Sequence, residues 1–366
     1  MKVGIIDHVG RKAGMDYYTS SLAEGLAENG ADVFIYSNFA VSNTSYKAFS
    51  VFPFFVKNPI LRFVRIFRGF ALAISSLKKN RIKHSIVHLF SADLYYVFLL
   101  LLLKISGQRL ILISHDSQSF AGSESMGLRK FCYNILASRI IVHNAYSLES
   151  TLPLINKKDK IVSIKHGSFE NLVDSSITRE KARKRYGLKE GDFFAVFFGQ
   201  IKRIKRLDVF LLAVECGSNI RYHVAGRVWK DDFDSYKRII DSKDSTCLTL
   251  DIGYISDSER ENLFKSADAI VLPYDEVYQS GVLLMAMSYG VCPIVSNIKA
   301  FKEIIEDNEN GLLFEQGNSK SLAHVISLLA KNSDLKQKIS RNAREYVKSE
   351  FSWDSIAKEY IDKVLG

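Results

Sequence analysis

Cysteine is scarce, with four in 366 residues. Cys132, Cys216, Cys247 and Cys292 form no Cys-x-x-Cys pair and no Cys/His cluster at metal spacing, so the pattern predicts neither a disulfide framework nor a zinc site, and a reducing compartment is the default. Proline numbers five, and the 21 glycines follow no fixed period. Collagen-like, mucin-like and solenoid architectures and long disordered tails are thereby excluded. Long apolar runs are missing too: the most lipid-like stretch, Leu94 to Leu103, is ten residues between Asp93 and Lys104, whereas a spanning helix needs about 20. The amino terminus, MKVGIIDHVG, lacks the basic start, apolar run and cleavage site of a signal peptide and reads as a buried first strand. No bound divalent ion is expected.

What is present is a globular composition, 47% hydrophobic and 25% charged, long enough for two domains of roughly 150 to 200 residues each. The formal charge of +10 is localised. Residues 51–140 hold 13 Lys and Arg against 3 Asp and Glu, and the remainder is balanced at 37 against 37. Within that segment Arg62, Arg65 and Arg68 interleave with Phe63, Val64, Ile66, Phe67 and Phe70. At helical spacing the arginines fall on one side and much of the apolar set on the other, which predicts a basic amphipathic helix. Such a helix either packs on a core with a solvated face or lies on an anionic membrane surface. No zinc finger, RNP-like aromatic motif or helix-turn-helix signature accompanies the charge, so no nucleic-acid partner is expected.

The first 37 residues read strand, loop, helix, strand, a βαβ opening that implies a parallel sheet. Strand-like runs continue at Ile86 to Phe90, Leu110 to Ile113, Ile140 to Val142 and Ile161 to Ile164. After a polar passage a second series follows: Phe193 to Phe198, Tyr222 to Ala225, Leu248 to Ile252, Ala269 to Leu272 and Val291 to Val295. The expected architecture is α/β, two doubly wound Rossmann-like domains facing across a cleft, with ligands at the carboxyl ends of the strands. We place the domains at residues 1–168 and 169–350, followed by a helix at 351–366 with Ser352 as its cap.

Three loops follow strands and offer anion-binding groups. Gly14 of GRKAG (10–14) precedes a helix whose N–H groups could face a phosphate. In FFGQIKRIKRLD (197–208), Gly199 ends a strand and Lys202, Arg203, Lys205 and Arg206 crowd together, repelling one another unless something anionic or water screens them. In 272–296, Asp275 and Glu276 form an acidic turn and Gln279-Ser280-Gly281 open an apolar helix. His115-Asp116 ends the strand LILIS and is a candidate acid/base pair, although a histidine there is as often structural.

The succession GQIKRIK, VAGR, GYISDSERENLFKSADAIVLPY, QSGVLLMAMSYGVCPIVS, NGLLFEQGNSKSLAHVISLL and FSWDSIAKEY resembles glycosyltransferase family 4, whose members have the GT-B fold and use nucleotide sugars. The resemblance covers essentially the whole chain, more loosely in residues 38–84. It implies a donor held by the second domain, an acceptor held by the first, and a carboxyl-terminal helix crossing back to the first domain. It places Lys205 on the donor diphosphate, Gly14 near the donor phosphate and His115 near the reacting sugar. The family's second cation falls on Gln200, so Lys202 or Arg203 is expected to take over its charge. The family's paired glutamates fall on Val277 and Met285, and a methionine is a poor acceptor for a hydroxyl. The Gln-Ser-Gly-Val-Leu form marks a rebuilt loop in which Asp275, Glu276 or Gln279 contacts the sugar, beside the Ser280-Gly281-Val282 helix end.

The expected function is therefore transfer of a hexose from a UDP- or GDP-linked sugar to a lipid-linked saccharide in surface-polysaccharide assembly. The resemblance implies a retaining, metal-independent reaction with no cofactor beyond the nucleotide-sugar substrate. Lys205 and the helix end would stabilise the leaving diphosphate. The segment bearing Arg62, Arg65, Phe67 and Arg68 would hold the protein on the inner, anionic face of the plasma membrane from the cytoplasm. Two alternatives use the same fold: a catalytically silent scaffold, motivated by Val277 and Met285, and an epimerase or inverting transferase with Asp116 as general base.

Overall fold

The computed structural model describes all residues except 41–44, 116–124, 217, 218, 230 and 243, with backbone only at 12 and 13. It divides into two compact units, Met1–Gly167 together with Phe351–Gly366, and Ser168–Glu350.

The first unit contains β1 (Lys2–Asp7), β2 (Asp32–Ser37), β3 (Lys47–Ser50), β4 (His84–Leu89), β5 (Arg109–Ser114), β6 (Ala137–Val142) and β7 (Ile161–Ser163). They form one sheet in the order β3-β2-β1-β4-β5-β6-β7, parallel throughout. Because a parallel sheet is covered on both faces, its central strands are nearly continuous apolar runs, and successive residues serve opposite layers. On one side, Phe70, Ala73 and Leu77 of α2 (Pro59–Lys79) and Leu99, Leu100 and Leu103 of α3 (Leu94–Ile105) pack with Ile6, Val87 and Leu112. On the other, Tyr18, Leu22 and Leu26 of α1 (Asp16–Glu28) pack with Ile5, Ile113 and the terminal helix Trp353–Tyr360. Ser352 caps that helix by accepting from Ser355 N at 3.3 Å. A Cβ on Gly25 would lie 2.8 Å from the Trp353 carbonyl oxygen, so α1 needs glycine there to let the terminal helix approach.

The second unit contains β8 (Phe193–Phe198), β9 (Ile220–Gly226), β10 (Leu248–Ile252), β11 (Ala269–Leu272), β12 (Cys292–Ser296) and β13 (Leu312–Phe314). Their order is β10-β9-β8-β11-β12-β13, again all parallel. The strand order reverses between β8 and β11, as it does between β1 and β4, and loops leaving the strands beside such a reversal line the usual ligand crevice. Beneath the sheet the buried Asp268 accepts from Arg179 (2.7 Å), Arg183 (2.9 Å), Lys336 (2.9 Å) and Phe194 N (2.9 Å), tying two helices to β8. The expected α/β class with two parallel Rossmann-like sheets is what the chain adopts.

Three features differ from the sequence reading. The sequence reading does not include β3, a mostly exposed edge strand, or β13, of three residues. Cys216 and Cys247 form a disulfide across 31 residues, their Cα atoms 5.6 Å apart, while Cys132 and Cys292 are buried thiols. The pairing of β10 with β9 brings Cys247 back to the segment carrying Cys216, a proximity that linear spacing does not display. Finally, α2 does not divide into a charged and a core-facing side along its whole length. Its buried residues begin at Gly69, and before that Ile60, Leu61, Phe63, Val64 and Phe67 are exposed together with Arg62, Arg65 and Arg68. Among the described residues no helix is long and apolar enough to cross a membrane.

Candidate functional site

In the second unit, β8 is followed by Gly199, whose N–H donates to Ala225 O at 2.9 Å. The two strand ends meet so closely that a Cβ on Gly226 (φ +153°) would lie 1.8 Å from Gly199 O. A Cβ on Gly199 itself would come within 3.3 Å of Lys205 Nζ and 3.6 Å of Val282 Cγ2, so the loop lysine and the start of the helix Gly281–Ser288 meet over this glycine. Lys205 Nζ also lies 4.8 Å from the centre of the Tyr274 ring. Burial, with no carboxylate partner among the described residues, pushes the Lys205 ammonium down to about 8.

Ser280 caps the helix by accepting from Leu283 N at 3.2 Å. The N–H groups of Gly281 and Val282 in the first turn have no acceptor within the helix and carry the positive end of its dipole. Among the described residues, the Tyr274 hydroxyl and Gln279 Nε2 are also buried without a hydrogen bond. Lys205, set against the Tyr274 ring and beside the start of this helix, together with the two helix-end amides and the two unsatisfied polar atoms of 274–279, suits an anionic ligand bearing hydroxyl or carbonyl groups.

The other cations of the loop are placed differently. Arg206, in the left-handed region at φ 50°, turns its guanidinium to Asp208 and to Asp275, the latter at 2.9 and 3.0 Å. The repulsion expected within the loop is relieved by these carboxylates, and Asp275 is engaged by Arg206 and Gln316. Arg203 is exposed, whereas Gln200, Lys202, Glu276 and Val277 are half-buried. Met285 lies buried inside the helix.

In the first unit, Gly14 adopts φ +68° in open space, but the loop before it is largely satisfied. Gly10 N (2.7 Å) and Val9 N (3.2 Å) donate to Asp7 Oδ1, Arg11 N donates to Asn38 Oδ1, and Gly14 N and Met15 N donate to Arg11 O and Gly10 O. His115 sits just past β5 and is 8% exposed; Asp116 lies outside the described residues. Sequence reading singled out His115 alone. The structure surrounds it with His88, His143 and His166, each at or just beyond a strand end and each packed on Tyr18. The signal was a repeated one: IVHL, LISH, IVHN and IKHG each close an apolar run with histidine. Burial holds all four imidazoles below their ordinary range, His143 at about 4 and His166 at about 3, and His115 is lowered further by its three histidine neighbours. The cluster is therefore uncharged near neutrality. Among the described residues no group of three or more His, Cys, Asp or Glu is arranged to hold a metal ion.

Residues 178–346, nearly the whole second unit, match the family described as glycosyl transferases group 1. The chain is 25% identical over 263 residues to an uncharacterised glycosyltransferase of Methanocaldococcus jannaschii, covering 69% of this chain and 64% of that one. It is 24% identical to the capsular polysaccharide biosynthesis glycosyltransferase CapM of Staphylococcus aureus, covering 56% of each. The chain thus spans less than two thirds of the length of either relative. Among solved structures, Anabaena HepE in complex with UDP and glucose superposes over 100% of this chain and 99% of its own with a TM-score of 0.76 at 16% identity, a likeness of fold. Residues 178–346 of the second unit thus resemble the glycosyl transferases group 1 family, and the two Rossmann-like sheets share the fold of the solved GT-B structures.

Proposed function

We propose that this chain is a glycosyltransferase that moves a hexose from a UDP- or GDP-linked sugar to a lipid-linked saccharide, with retention of configuration and without a metal, in surface-polysaccharide assembly. The observation that carries the reading is Lys205, a cation with no carboxylate partner among the described residues, set against Gly199 and the first turn of the helix Gly281–Ser288, inside the domain that matches the group 1 family. Charge building on a departing diphosphate is stabilised by fixed donors that need no reorganisation, and one such donor is worth on the order of 10²-fold in rate. Gln279 Nε2 and the Tyr274 hydroxyl are available to the nucleotide sugar, while Asp275 acts indirectly by holding Arg206. His115 is the group proposed to meet the reacting sugar.

The exposed apolar and basic start of α2 supports attachment to an anionic membrane. Ile60 is 75% exposed and Phe55 67%, and Phe63 packs at a tilt against Tyr95 of α3 with ring centres 4.1 Å apart, extending the patch toward the exposed Leu94 and Phe98. Apolar side chains among arginines suit a lipid headgroup region better than water.

The test is release of nucleoside diphosphate from a sugar donor in the presence of membrane extract. Wild-type protein should release it and Lys205→Ala should lose most of that rate. Equal release by both would remove the lysine from the reaction, and the anomeric form of the product would decide retention.

A further inference from the structure

We propose that Asp7, Thr19 and His88 form a hydrogen-bonded relay that fixes His115 in the Nε2–H tautomer, leaving its Nδ1 as the bare acceptor offered to a substrate hydroxyl. These three are positioning residues, and only the identity of that hydroxyl rests on the transferase reading.

The direction of the relay follows from counting donors. Asp7 Oδ1 is occupied by the backbone N–H groups of Gly10 and Val9, and Oδ2 accepts the Thr19 hydroxyl at 2.7 Å. Having given its single proton to Asp7, Thr19 Oγ1 can only accept from His88 Nε2, 3.1 Å away. His88 therefore carries its proton on Nε2 and presents a bare Nδ1 to His115 Nε2 at 2.8 Å. A neutral His88 cannot donate from Nδ1 as well, so His115 supplies the proton of that bond, and its own Nδ1 is left without one.

The surroundings make this arrangement stiff. Asp7, Thr19 and His88 are all at most 1% exposed, and the His115 ring is stacked on Phe90 with centres 4.7 Å apart and planes 10° apart. Burial disfavours a second proton on either ring. Next to His115, His143 donates from Nδ1 to Ile164 O at 2.9 Å, so its Nε2 is a second bare acceptor, buried without a partner. Two unprotonated ring nitrogens, on rings whose centres lie 5.4 Å apart, match a ligand that donates hydroxyl protons and repel the lone pairs of a phosphate. Sequence reading missed the relay because Asp7, Thr19, His88 and His115 come from four separate elements.

The test uses the full chain with ¹⁵N-labelled histidine. Two-bond ¹H–¹⁵N spectra should show both His88 and His115 as Nε2–H. In Asp7→Asn the amide nitrogen takes the place of Oδ2 and donates to Thr19, whose hydroxyl then turns to His88, so both rings should switch to Nδ1–H. Thr19→Ser should keep the wild-type tautomers and Thr19→Val should leave a mixture, a pair that decides the matter even if Asp7→Asn folds poorly. In sugar transfer, Asp7→Asn should lower kcat on the order of 10²-fold, the scale of a misplaced proton acceptor, with donor KM nearly unchanged. Nδ1–H at His115 in the wild type, or tautomers indifferent to Asp7→Asn and Thr19→Val in folded protein, would overturn the relay. Spectra that switch as expected in a protein that transfers no sugar would uphold the relay and defeat the transferase reading.

Discussion

The hydroxyl groups of Tyr18 and Tyr360, 342 residues apart in the chain, meet at 2.9 Å in the interior of the first unit. Each is buried and hydrogen-bonds the other in the layer between α1 and the terminal helix, so the carboxyl terminus is part of that core. Tyr360→Phe should cost roughly 1–3 kcal/mol by leaving the Tyr18 hydroxyl unsatisfied, whereas removing both hydroxyls should cost less than either single change. A double-mutant cycle by urea denaturation measures this. Additive losses would show the two groups to be uncoupled. Truncation after Lys348 should unfold the first unit more readily than either substitution.

Acid should destabilise the protein through its histidines. His143 and His166 titrate near 4 and 3 in the folded state but near 6.5 when unfolded, so between those values the unfolded chain binds more protons. Their contribution is complete above about pH 6.5 and is lost as pH falls toward 4, roughly 3 kcal/mol for His143 alone. Denaturant midpoints at pH 7.5, 6 and 5 should fall in that order, and less steeply in His143→Phe. A flat profile would mean that the cluster opens to water.

Lys205 gives the opposite sign for ligand binding. With its amine at about 8, the free protein loses this positive charge as pH rises past that value, and an anionic donor must then bind together with a proton. Affinity for a nucleoside diphosphate should weaken above pH 8 by at most about tenfold per pH unit. Lys205→Arg, charged throughout, should flatten the dependence. Wild-type affinity that is constant from pH 7 to 9.5 would contradict the placement of this lysine on the phosphates.

Sedimentation with lipid vesicles examines α2. Each arginine near an anionic surface contributes about 1 kcal/mol, so the triple change of Arg62, Arg65 and Arg68 to glutamate should weaken binding to anionic vesicles by roughly 100-fold or more. Added salt should weaken the wild type in the same direction. Equal binding to neutral and anionic vesicles would sink the electrostatic attachment.

The parallel sheets were legible because their strands are short apolar runs separated by helical periodicity, a pattern carried by neighbouring residues. Lys205, Gly199 and Ser280-Gly281 were legible for the same reason, since each sits at a strand end or helix start that local sequence marks. What escaped was everything decided by distant pairing. Asp275 reads as a free carboxylate until Arg206 is seen to hold it. Cys216 and Cys247 read as isolated until β10 is laid beside β9. The exposed apolar start of α2 follows helical spacing as a core-facing stripe would, and only burial tells the two apart.

The most direct measurement is thermal stabilisation of the purified chain by UDP-, GDP-, ADP- and dTDP-sugars, because a ligand bound only by the native state raises stability by RT ln(1 + [L]/Kd). The account predicts a selective rise in Tm with a UDP- or GDP-sugar that disappears in Lys205→Ala. No shift with any nucleotide sugar at millimolar concentration, or an equal shift in Lys205→Ala, would contradict it.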